Sequence, residues 1–262
     1  MTLIKALGLA DARLIALIGA GGKTSLMFAL AKEFADTGDT VLLTTTTRLA
    51  ADEAAGPWPE IIATDPAEIV AAAPPTAGAV LVHAGIDAVS DKVIDLDAET
   101  VDRVTASKVF DRILIEVDGA ARRPLKVPAA HEPVIPRAAD TVIAVAGLSG
   151  VGRPLSGETV FRTEAWSGLT GLAAGDAVTA TSVTDAATHA QGFAKGAPAT
   201  AVRTLFLNQA DTPDRIATGR AIARRLAERG TTVFARVVIA RLTPAPEIAD
   251  VIVLDPEDAV PR

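Results

Sequence analysis

Seven consecutive residues, Gly19-Ala20-Gly21-Gly22-Lys23-Thr24-Ser25, put flexible backbone, one ammonium and two hydroxyls into a single turn. Glycines let main-chain amides approach an anion closely and accept positive φ. Turn amides and the helix N-terminus that follows supply donors and partial positive charge. Lys23 adds a full charge for outer phosphates, and the Thr24 hydroxyl can ligate Mg²⁺. The expected ligand is a nucleoside triphosphate, GTP or ATP, bound with magnesium. The spacing is G-x-x-G-K-T, shorter than the G-x-x-x-x-G-K-[ST] form, whose first glycine would fall on Leu17. A glycine-rich βα turn with a solvated lysine is the plain alternative. It is weaker here, because strand and helix flank the turn and lysine precedes hydroxyl. The dinucleotide pattern G-x-G-x-x-G fails at Thr24.

Ile113-Leu114-Ile115-Glu116-Val117-Asp118-Gly119 is the second group able to do chemistry. An apolar strand ending in acids delivers carboxylates to the edge where open α/β sheets bind ligands. Glu116 and Asp118 are two apart and share one side of an extended strand. Asp118 is the expected metal ligand, and Glu116 the base or water-orienting group. Read alone, Asp-Gly is a turn signal. Thr44-Thr45-Thr46-Thr47-Arg48 should emerge at the same edge, with Thr45 a further candidate for Mg²⁺ and Arg48 for phosphoryl charge. Threonine's β-propensity is an equal explanation. Arg122, Arg123 and Lys126, with His131 close behind, form a cationic loop expected to face an anionic second substrate. Asn208-Gln209-Ala210-Asp211 follows a strand as a guanine-reading N-K-x-D element would, with Gln209 in place of lysine. Asn208 and Asp211 are thus candidates for the base, against an ordinary Asn/Asp turn.

The elements that must position these groups alternate between apolar strands and helices, the pattern of a mostly parallel sheet with crossovers. Strands are expected at 14–18, 40–44, 79–83, 112–117, 141–146, 204–207 and 231–238. Helices are expected at 24–36, 99–110 and 213–229, and loops at 50–59 and 72–78. The fold class is α/β, P-loop NTPase-like: a twisted sheet flanked by helices, with a glycine-rich appendage. The whole chain, 1–262, reads as one nucleotide-binding domain, with glycine-dense 147–180 a lid or minor subdomain.

Composition narrows the rest. A formal charge of −7 and a pI near 5.0 argue against general nucleic-acid binding. The absence of cysteine excludes disulfides, thiolate metal sites and cysteine nucleophiles. Three scattered histidines leave a hard, oxygen-ligated ion such as Mg²⁺ as the natural metal. No signal-like start and no membrane-length apolar run is present, so a soluble, cytoplasmic protein is expected.

Taken together, Ile18 to Ser25, the Thr-rich strand end, Ile115-Glu116-Val117-Asp118-Gly119-Ala120, Arg123-Pro124-Leu125-Lys126 and His131-Glu132-Pro133-Val134-Ile135-Pro136 resemble the YqeC-like selenium cofactor biosynthesis family. The resemblance implies a P-loop nucleotide-binding protein acting as an accessory to a selenium-dependent molybdenum hydroxylase. The partner would be the hydroxylase itself or the anionic small molecule that the cationic loop suggests. Without cysteine, selenium could not be carried on sulfur. Two rival readings stay open. One is a Mur-type ATP-dependent ligase, which shares the short loop but needs additional domains. The other is a non-catalytic, nucleotide-switched cofactor chaperone.

Overall fold

The computed structural model describes residues 1–50 and 56–254. In chain order the elements are α1 (Leu3–Leu7), β1 (Leu14–Gly19), α2 (Lys23–Asp36), β2 (Thr40–Thr45), β3 (Leu49–Ala50), β4 (Glu60–Ile62), α3 (Pro66–Ala71), β5 (Gly78–His83), β6 (Gly85–Asp87) and β7 (Lys92–Ile94). There follow α4 (Ala98–Ser107), β8 (Arg112–Glu116), β9 (Leu125–Lys126), β10 (Thr141–Gly147), a 3₁₀ turn (Leu148–Gly150), β11 (Val160–Phe161) and α5 (Thr163–Thr170). The chain continues through α6 (Ala180–Thr188), β12 (Val202–Asn208), α7 (Pro213–Glu228), β13 (Arg236–Arg241) and β14 (Glu247–Val253).

Nine strands form one twisted sheet in the order β14-β13-β12-β10-β1-β8-β2-β5-β4, parallel except for β14 against β13. From β1 the chain first builds β2, β4, β5 and β8 to one side, then β10, β12, β13 and β14 to the other. The order reverses at β1, and ligands of open α/β sheets enter beside such a reversal, beyond the strand C-termini. Successive strand residues serve opposite cores. Leu14, Ala16 and Ile18 join the cluster under α3 to α7, while Ile15 and Leu17 join the one under α1 and α2. Burial on both faces explains why these strands read as unbroken apolar runs.

Two small pairings lie outside the main sheet and border its C-terminal edge. Strands β3, β7 and β6 form an antiparallel flap, and β9 pairs in parallel with β11, setting Lys126 beside Phe161. The glycine-dense segment 147–180 is not detached from the core: Leu148, Leu155, Val160, Trp166 and Val178 are all buried in the larger cluster.

Two expectations shift. A strand expected at 231–238 begins only at Arg236, opposite Thr204. The apolar signal before it comes from Phe234, which is buried as a loop residue as the chain returns from Gly230 to the sheet. The edge strand β14 has no counterpart among the expected strands, because its half-buried residues carry no strong pattern. Of the expected loop at 50–59, residues 51–55 lie outside the described residues. Among the described residues, no helix is long and apolar enough to cross a membrane.

Candidate functional site

Strand β1 ends at Gly19, and the turn 19–22 folds so tightly that side chains are excluded at its three glycines. Gly19, Gly21 and Gly22 all have positive φ (94°, 86° and 124°). A Cβ on Gly21 would lie 2.6 Å from the Gly147 nitrogen and 2.7 Å from the Pro124 oxygen. On Gly19 it would strike the Val145 carbonyl, and on Gly22 the Asn208 amide. Helix α2 then starts at Lys23 with Gly22 as a cap that offers no side-chain acceptor. Its first amides therefore keep their donors for whatever enters beyond the turn.

Lys23 is almost fully buried. Its Nζ donates to the Gly19 carbonyl at 2.6 Å and lies 3.2 Å from Glu116 Oε1 and 3.3 Å from Asp118 Oδ1. Burial alone would lower its pKa, but the Glu116 and Asp118 carboxylates outweigh that and raise it. Lys23 is shared between two buried acids, and only Asp118 has a second cation, Lys126, beside it. Glu116 carries the consequence: burial, aided by Asp118, holds its carboxyl above the ordinary range despite Lys23 and a 2.8 Å hydrogen bond from Thr24 Oγ1.

Asp118 is fully engaged. It accepts from the Gly19 N–H at 3.1 Å on both oxygens, and Lys126 Nζ stands 2.9 Å from Oδ2. Lys126 in turn donates to Gly119 O at 2.6 Å and to Glu132 Oε2 at 2.8 Å, and Arg162 grips both Glu132 oxygens at 2.8 Å. Although partly buried, Glu132 has its pKa lowered to about 2 by hydrogen bonds and charge from Arg162 and Lys126. Lys23, Glu116, Asp118, Lys126, Glu132 and Arg162 thus form one interior network in which three cations balance three anions.

This network backs a cavity of about 750 Å³ that opens beyond the glycine turn. Gly21, Gly22, Lys23, Thr24, Ser25, Glu116, Arg122 and Arg123 line it together. So do Thr47, Arg48 and three residues for which local sequence offered no motif: Lys92, Phe161 and Arg162. Six cationic side chains meet two carboxylates there, on a chain whose formal charge is −7. Lys92 arrives on the β6–β7 hairpin, and Phe161-Arg162 arrives through β11–β9 pairing, so only tertiary structure could reveal them.

Other candidates are placed differently. Lys126 is buried behind the cavity in the ionic network, and His131 is exposed and does not line it. The Thr45 hydroxyl lies 2.6 Å from Thr47 O and 2.9 Å from Glu116 O, bound to backbone instead of facing the cavity. Asn208 Nδ2 donates to Gly21 O at 2.7 Å, clamping the turn from behind. Asp211 pairs with Arg215 at 2.7 Å on the surface. Neither of the last two lines the cavity. Gly19 and Ala20 shape the turn without lining it. Thr24 Oγ1 and Glu116 Oε2, 2.8 Å apart, are oxygens of cavity-lining residues that could hold a hard cation, whereas Asp118 does not line the cavity.

The arrangement is that of an α/β protein whose central strand feeds a glycine turn, an uncapped helix and a cationic cavity, consistent with a nucleotide-binding α/β fold. Comparison with known proteins gives the family. The family model described as "YqeC protein" matches residues 15–164. A protein of Escherichia coli (strain K12) named "Uncharacterized protein YqeC" is 35% identical over 195 residues, covering 74% of this chain and 75% of its own length. The chain belongs to the YqeC family. No solved structure matches it.

Proposed function

We propose that this protein binds a nucleoside triphosphate as its magnesium complex and hydrolyses it or transfers its terminal phosphoryl group. The observation that carries this reading is the convergence, on one cavity, of an uncapped glycine turn and helix start, Lys23, and five further cations. Phosphoryl transfer asks little covalent chemistry of a protein; positioning and charge compensation do the work. The turn amides and the start of α2 take the phosphates, and Lys23 supplies charge at the outer ones. Thr24 and Glu116 would hold Mg²⁺, directly or through its water, which when bound neutralises charge on the outer phosphate oxygens. Asp118 positions Lys23 and the Gly19 amide. Arg48 and Arg122 offset charge developing on the transferred group.

The reading covers GTP and ATP alike, because Asn208 and Asp211 stand outside the cavity lining. The wider role, maturation of a selenium-dependent molybdenum hydroxylase cofactor, is proposed on the family resemblance. The test is a titration of the purified protein with ATP and GTP, with and without Mg²⁺, beside a Lys23→Ala variant. Saturable, Mg²⁺-dependent binding is expected, weakened about 10- to 100-fold in the variant as for loss of a charged hydrogen bond. No saturable binding of either nucleotide would end this proposal.

A further inference from the structure

We propose that Arg162 and Arg123 form a second oxyanion subsite in the cavity, one that holds a carboxylate- or phosphate-bearing acceptor beside the bound triphosphate. The inference rests on the nucleotide reading for the identity of the first ligand, but its residues are separate from the glycine turn.

The first observation is the donor inventory of Arg162. Its Nη1 donates to Val127 O at 3.2 Å and Glu132 Oε2 at 2.8 Å, and its Nη2 donates to Glu132 Oε1 at 2.8 Å. A guanidinium has five N–H groups. The Nε–H and the second Nη2–H, which run side by side along one edge, donate to none of the described residues. Its Cζ lies over the Phe161 ring, 4.4 Å from the centroid, so the ring backs the guanidinium. What remains for the cavity is an in-plane fork, the geometry that takes a carboxylate or phosphate by two parallel hydrogen bonds.

The fork is held still. Glu132 is also held, at the Oε2 that Arg162 Nη1 uses, by buried Lys126, which is tied to Asp118 and Gly119. Arg162 itself has a left-handed backbone (φ 69°), as do Ala121 and Arg122 (48° and 58°). Three of the six described non-glycine residues with positive φ therefore line one cavity. Strain of this kind persists where surroundings enforce it, and it gathers at ligand sites. Helix α5 begins just past Arg162 with no side-chain cap, as α2 does past Gly22, whereas α1, α3, α4, α6 and α7 each have one.

Charge and geometry divide between residues. Arg162 is neutralised by Glu132, so it contributes shape. Attraction comes from Arg123, whose pairing with highly exposed Glu158 is long at 3.4 Å and readily exchanged, and from Lys92. Since Lys23 lies at the far end of the Asp118–Lys126–Glu132 chain, a triphosphate on the turn leaves this fork to another molecule.

The test follows the Arg162 Nε–H resonance in ¹⁵N–¹H spectra while inorganic phosphate or malonate is added. It is run first without nucleotide and then with a saturating non-hydrolysable triphosphate. A saturable shift that survives the triphosphate, and that is weakened at least about 10-fold by Arg123→Gln, is expected. A response to phosphate alone assigns the acceptor to phosphate esters, and to malonate alone, to carboxylates. Arg162→Lys, which keeps charge but loses the fork, should abolish binding; if it does not fold, Arg123→Gln carries the test, since it touches only a surface pair. Absence of a saturable shift, its loss under triphosphate, or indifference to Arg123→Gln overturns the proposal. An Arg123-dependent shift in a protein that binds no triphosphate sinks the nucleotide reading and leaves the subsite standing.

Discussion

Strands β8 and β12 bring similar side chains to the same edge of the sheet, yet those residues end in different roles. At the end of β8, which is hydrogen-bonded directly to β1, Glu116 meets Thr24 and Lys23, and Asp118 meets Lys23 and the Gly19 amide. Strand β12 is one place further off, behind β10. Asn208 reaches only the back of the turn, through the Gly21 carbonyl, and Asp211 turns to the surface. Residue type does not separate the two groups; strand order does. An acid one strand from the glycine turn controls its cation, and an amide two strands away controls its backbone.

The largest effect should come from removing the cation that β8 controls. Lys23→Ala leaves Glu116 and Asp118 buried with too little compensation, a loss of about 3–5 kcal/mol by the general cost of breaking a buried pair. Urea unfolding at two pH values checks the cause. Glu116 already has a raised pKa, so its folded form favours the proton, and the Lys23→Ala deficit should be smaller near pH 5 than near pH 8. A deficit no larger than that of an Asn208 variant would break the comparison.

Glu132 gives the next effect, with the opposite sign of pH dependence. Its folded pKa of about 2 lies below the ordinary 4.5, so its stabilisation is full above pH 4.5 and is lost as pH falls through about 2. Glu132→Gln should flatten that acid limb. At neutral pH it should cost about 1.5–3 kcal/mol, the range for hydrogen bonds to a charged group. Stability measured against pH in both proteins decides it; an unchanged acid limb would place the network's acid sensitivity elsewhere.

Asn208→Ala sharpens the comparison from the β12 side. Loss of the donor to Gly21 O should cost about 1–3 kcal/mol, as for a buried acceptor left unpaired. If Asn208 acts on the turn alone, ATP and GTP affinities must fall by the same factor. A selective loss for GTP would instead make it a base-reading residue.

What local sequence can reveal obeys the same division. The turn 19–25, the acids at 116 and 118 and the arginines at 122 and 123 are neighbours in the chain, and short-range patterning marks them. The central strands are legible because burial on both faces writes a continuous apolar run. Strand order leaves no local trace, so the contrast between Glu116 and Asn208 could not be anticipated. Nor could Arg162, which lies 36 positions beyond Lys126 and reaches the site only because Phe161 pairs beside it. Phe234 misleads for a related reason: a buried loop residue and a strand residue have the same hydropathy.

The smallest expected effect is also the one aimed most directly at the difference between the two strand ends. Asp211 and Arg215 are both substantially exposed at their 2.7 Å contact, so Asp211→Asn should change stability by no more than about 0.5 kcal/mol. If the end of β12 only supports the turn, the ratio of ATP to GTP affinity will also be unchanged. If the base instead leaves the cavity and reaches past Asn208, Asp211 is the acceptor it would meet, and this substitution would erase any guanine preference while sparing ATP. Parallel titrations of the wild type and Asp211→Asn with both nucleotides separate these cases. Because unfolding should barely move, a selective change could not be ascribed to a damaged fold, and strand distance from β1 would no longer divide binding residues from supporting ones.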